Sequence, residues 1–82
     1  MRLKNGFEVG NWNIESYESG KGFIQNFMDN REATYFVGFD FQIYIYNIKG
    51  TQIPLPSIPK YIQHRIVAME RHNRKAKKLG GG

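Results

Sequence analysis

Thr34-Tyr35-Phe36-Val37-Gly38-Phe39-Asp40-Phe41-Gln42-Ile43-Tyr44-Ile45-Tyr46-Asn47-Ile48 is the stretch whose reading decides how this chain folds. Side chains of a β-strand alternate between its two faces, and here Tyr35, Val37, Phe39, Phe41, Ile43 and Ile45 share one parity. That face is expected to be core. The other parity carries Phe36, Gly38, Asp40, Gln42, Tyr44 and Tyr46, a polar surface studded with aromatic rings. Fifteen residues is long for one strand, so a bend or a break into two is predicted near Gly38 to Asp40.

Upstream, Phe7 and Val9 alternate with polar neighbours, and Trp12 and Ile14 do so again after Gly10-Asn11, which reads as a turn or bulge. Ser19-Gly20-Lys21-Gly22 supplies hairpin-turn chemistry, Phe23 to Met28 a further strand, and Asp29-Asn30-Arg31-Glu32 the next turn. The pattern is a meander of three to five antiparallel strands within residues 2–49.

Downstream, residues 50–56 form an extended connector built on Ile53-Pro54-Leu55-Pro56, and Ser57 is placed to cap a helix over residues 57–77. Ile58, Ile62, Ile66 and Met69 recur at helical spacing, so this half is expected to pack across the sheet. Beyond Met69 the apolar stripe stops, and Arg71 to Lys78 is read as a basic projection, with Glu70 and Arg74 at i,i+4 spacing. The expectation is therefore one α+β domain over residues 1–78. Gly80-Gly81-Gly82 closes a flexible stretch, residues 79–82, of the kind left by cloning.

Charge is the feature that bears on function. Of the net +5 of the 82 residues, none belongs to residues 1–56, where five bases face six acids. Residues 57–82 hold Lys60, Arg65, Arg71, Arg74, Lys75, Lys77 and Lys78 against Glu70 alone. One or two bases near a helix C-terminus complement its dipole; a run of five between residues 71 and 78 exceeds that role and points to an anionic partner. The predicted nucleic-acid contacts are these seven bases on phosphates, with Tyr44 and Tyr46 stacking on bases. RNA or another single strand is preferred because aromatics accompany the charge.

The rival reading is a protein-binding inhibitor or adaptor of phage type, acting on a host or defence protein through the aromatic sheet face or a sheet edge. A homodimer covering that face is a related expectation. The richness in Ile, Asn, Lys, Tyr and Phe fits an AT-rich genome of the phage or mobile-element kind.

Catalysis is not expected. No cysteine is present, the acids sit in turns or at exposed strand positions, and His64 and His72 lie two helical turns apart, too far to share a metal unaided. Gly20-Lys21-Gly22 lacks the spacing of a phosphate loop. No catalytic residue, cofactor or metal ligand is assigned. With neither a signal-like N-terminus nor an apolar span, membrane insertion is not expected and a cytoplasmic setting, that of the host if phage-encoded, is.

Overall fold

The computed structural model describes residues 5–47 and 53–78, with side chains through residue 76. Five strands run in chain order, β1 (Gly6–Val9), β2 (Trp12–Glu18), β3 (Lys21–Asn26), β4 (Arg31–Val37) and β5 (Ile43–Tyr46). Each pairs antiparallel with the next, giving one sheet ordered β1-β2-β3-β4-β5, and the helix α1 (Lys60–Lys78) follows. The α+β meander read from the sequence is the observed fold.

Turn chemistry sets the register. Gly10 takes a φ of 57° between Val9 and Trp12, which pair directly, so Gly10-Asn11 is a two-residue hairpin turn. Asn26 accepts from the backbone N–H groups of Met28 and Asp29 and thereby organises the third turn, where Asn30 takes a φ of 53°. In β2 the register shifts between Ser16 and Glu18: Ser16 pairs with Gly22 and Glu18 with Lys21, leaving Tyr17 as the extra residue of a β-bulge.

The core lies between sheet and helix. Ile14, Ile24, Ala33, Tyr35, Val37 and Ile43 from the strands meet Ile58, Ile62, Ile66 and Met69, with Ile53 buried beside them. Ile53 is held by its N–H, which donates to Asn47 Oδ1 at 2.9 Å. The connector expected over residues 50–56 is described only from residue 53.

Three expectations are corrected. Phe39 and Phe41 do not continue the core parity, because the predicted break is a loop, residues 38–42, in which Phe41 adopts a φ of 60°. Phe39 is fully exposed, and Phe41 packs at the edge of the core instead of within a strand. Secondly, α1 begins at Lys60 and Ser57 does not cap it. A residue preceding proline is driven out of the helical region, and Ile58, before Pro59, is extended at φ −92° and ψ 121°. Residues Leu55–Ser57 form a short 3-10 turn, and the carbonyl of Pro59 receives the first helical N–H groups, from Ile62 and Gln63. Thirdly, the helix beyond Met69 does not simply project: Glu70, Asn73 and Ala76 are buried. Polar and small side chains extend the inward face where hydropathy alone shows no stripe.

Tyr35 gives this core a pH limit. Burial, and secondarily the Glu70 carboxylate, raise its phenol above the ordinary value near 10, with the Ser16 hydroxyl opposing part of the shift. The unfolded chain therefore releases this proton first as pH rises, and unfolding becomes coupled to proton loss. Stability is expected to be insensitive to Tyr35 below about pH 9 and to fall above about pH 10, by at most about 1.4 kcal/mol per pH unit from this group. Urea titrations at both ends of that range check it; Tyr35→Phe should show a shallower decline.

Candidate functional site

Helical spacing sorts the residues of α1 into two faces. Ile62, Ile66, Met69, Asn73 and Ala76 turn inward and are buried, while Lys60, His64, Ala68, Arg71 and Lys75 recur on the exposed side. The only carboxylate of the helix, Glu70, is 3% exposed and points into the protein. The outward stripe is therefore basic, with no acid interrupting it, over about 22 Å from Lys60 to Lys75 at 1.5 Å per residue. Arg65 flanks it, its guanidinium 4.5 Å from the centre of the Phe7 ring, beside a hollow of about 260 Å³ between α1 and β1.

Glu70 and Arg74 do different work from the stripe. The Glu70 carboxylate accepts from the Gly20 N–H at 2.8 Å and from the Ser19 hydroxyl at 3.1 Å, so the helix grips the β2–β3 turn. Arg74 pairs with Glu70 through Nε and donates to the carbonyls of Val37 and Gly38 at 3.0 and 2.9 Å. Its guanidinium lies 4.4 Å from the Phe41 ring, and that of Arg71 lies 4.7 Å from the same ring. The loop following β4 is thus fastened to the helix by charge-assisted hydrogen bonds and cation–π contacts. Of the bases expected on phosphates, Arg74 is committed to this clamp; Arg71 stays exposed while stacking on Phe41. The side chains of Lys77 and Lys78 lie outside the described residues.

Among the described residues nothing covers the sheet's other face. Register places Glu15, Phe23, Thr34 and Tyr46 in one cross-strand row and Glu18, Lys21, Phe36 and Tyr44 in the next. The bulge brings Tyr17 to this side, where it stacks on Phe23 at 6.4 Å between ring centres. Phe36 meets Tyr46 edge-on at 5.0 Å, and the Lys21 ammonium sits 5.8 Å from the centre of the Phe36 ring. Tyr17, Tyr44 and Tyr46 remain 57%, 52% and 59% exposed. Tyr17, Lys21, Thr34, Phe36, Tyr46 and Asn47 line an open hollow of about 500 Å³.

The residues expected to act together are thereby divided. Tyr44 and Tyr46 face away from α1, with the sheet between them and Lys60, Arg71 and Lys75. Sequence parity identified Tyr44 and Tyr46 but missed Tyr17 and Phe23. The signal for Tyr17 was the bulge, which the pattern of residues 12–18 does not announce; the signal for Phe23 was its parity opposite to Ile24.

Among the described residues no group of three or more acidic or histidine side chains is placed to hold a metal ion, and no helix is long and apolar enough to cross a membrane. Comparison with protein-family models, with curated proteins and with solved structures found no match.

Proposed function

We propose that the protein is a non-enzymatic nucleic-acid-binding protein that docks on phosphates through the outer face of α1. The observation that carries this reading is the acid-free outward stripe bearing Lys60, His64, Arg71 and Lys75, with Arg65 alongside, on a helix whose single acid is turned inward. The cations of such a face, Lys60, Arg65, Arg71 and Lys75, attract a polyanion at long range and release its counterions on contact. Because Tyr17, Tyr44 and Tyr46 lie on the other face, stacking by those rings adds nothing to a strand held on the helix, where Tyr61 is, among the described residues, the one exposed tyrosine ring beside the bases. The contact is therefore with the backbone and largely independent of sequence. RNA, single-stranded DNA and duplex DNA compete for it on charge density.

The test is a salt titration of binding to fluorescent oligonucleotides. Four phosphate contacts, from Lys60, Arg65, Arg71 and Lys75, give a slope of log K against log salt of about −3 on a single strand, steeper by about 0.7 for each of Lys77 and Lys78 that joins. Lys60→Gln with Lys75→Gln is expected to weaken binding about tenfold at low salt and to flatten the slope by about 1.4, with the melting temperature unchanged. Absence of binding to RNA and DNA at low salt overturns the proposal.

A further inference from the structure

The open sheet face carries a surface of opposite chemistry. Its aromatic floor is Tyr17, Phe23, Phe36, Tyr44 and Tyr46, and cross-strand register sets Glu8, Glu15, Glu18 and Glu32 on the same side, with Lys21 the one base among the described residues there. The carboxylates act on the rings: after burial, Glu15 and Glu32 are what raise the Tyr17 phenol above its ordinary value. At the far edge Tyr44 donates its hydroxyl proton to Asp40 at 3.4 Å. Half-exposed tyrosines backed by phenylalanines and ringed by acids suit neither a phosphate backbone, which the acids repel, nor bulk water, which the rings do not satisfy.

We infer that this face is a docking surface for a cationic segment of another protein, one that alternates Arg or Lys with aliphatic side chains. Charge complementarity selects that occupant. Guanidinium groups lie flat on aromatic rings and pair with carboxylates in the same reach, whereas an acidic or neutral segment leaves the rim unpaired. The chain itself displays the pattern on its other side. There the sheet is covered by a basic amphipathic helix whose Arg65 lies over Phe7, whose Arg71 and Arg74 lie over Phe41, and whose Arg74 meets a carboxylate. On the open face the rings and carboxylates are present and the covering segment is not part of the described chain. The hollow between Tyr17, Phe36 and Tyr46, at about 500 Å³, accommodates the anchoring side chain.

The inference is independent of nucleic-acid binding, and its test is chosen to keep the two apart. The probe is a synthetic peptide of about ten residues alternating Arg and Leu, compared with its Glu-Leu counterpart, with binding followed by calorimetry and mapped by amide chemical shifts. The expected result is binding of the Arg peptide only, with shifts confined to β2, β3, β4 and β5. Tyr17→Ala with Tyr46→Ala, and separately Glu15→Lys, should each weaken it about tenfold, while Lys60→Gln with Lys75→Gln leaves it unchanged. All of these positions are at least partly exposed, and an unchanged melting temperature verifies that each variant is folded. Three outcomes overturn the inference: equal binding of the Glu peptide, an oligonucleotide shifting this face in place of α1, or self-association in sedimentation that buries it against a second copy.

Discussion

Gly22→Ala is expected to lower the stability of the folded domain by about 3 kcal/mol or more, enough to leave much of the protein unfolded at 37 °C if its total stability is near the lower end for a chain of this length. Gly22 is buried in β3 opposite Ser16 and Tyr35, and a Cβ built there collides with both the Glu15 carbonyl oxygen and the Tyr35 ring. The ring is itself buried, and the carbonyl belongs to the neighbouring strand, so neither obstacle is the free end of a flexible side chain. Relief requires β2 and β3 to part next to the bulge. Gly10→Ala is the matched control: Gly10 has a φ of 57° but nothing near its missing Cβ, so only the conformational cost of about 1 kcal/mol applies. Urea denaturation of the two variants measures the difference; equal losses would mean that the close approach of Tyr35 to Gly22 is not a constraint.

Glu70→Ala should have a comparable effect, about 3 kcal/mol, by a different route. It removes the acceptor for the Gly20 N–H and the Ser19 hydroxyl and leaves Arg74, about three-quarters buried, without its carboxylate. Arg74→Ala is expected to cost a similar amount, because it strands the nearly buried Glu70 and releases the Val37 and Gly38 carbonyls. The double variant should lose less than the two single losses combined, with a coupling of about 1 to 3 kcal/mol in a double-mutant cycle. Arg74→Lys should rescue little, since one ammonium cannot meet a carboxylate and two carbonyls in the planar arrangement of a guanidinium. Additive losses in the cycle would show that the ion pair is incidental. Hydrogen exchange at Gly20 offers a local readout, its amide being expected to lose protection in Glu70→Ala before global unfolding.

These two sites show where sequence and structure part company. Alternation along residues 34–48 correctly set Tyr35, Val37, Ile43 and Ile45 inward, because within a strand parity is a geometric necessity. It failed at Phe39 and Phe41 because the left-handed backbone at Phe41 interrupts the period, and nothing in a phenylalanine side chain signals that conformation. The apolar spacing of Ile62, Ile66 and Met69 identified the inward face of α1. Glu70, Asn73 and Ala76 continue it by hydrogen bonding and close fit, which hydropathy does not register. The helix start was legible in Pro59 once its restriction on Ile58 is given precedence over the capping preference of Ser57. As for the surfaces, the excess of positive charge was plain in the composition. Which bases remain outward depended on a tertiary partner for Arg74, the end of β4 and the loop after it, that lies more than thirty residues away in the chain.

The outward bases of α1 and the acids Glu8, Glu15, Glu18 and Glu32 stand on opposite sides of one sheet, so charge of opposite sign is separated across the sheet. In the field of any polyanion such a body experiences a torque as well as an attraction, and it turns before it touches. On the proposed reading, contact would be made with the helix foremost and Tyr17, Tyr44 and Tyr46 facing away. On that reading, orientation at a polyanion would follow from the charge separation in advance of any specific bond.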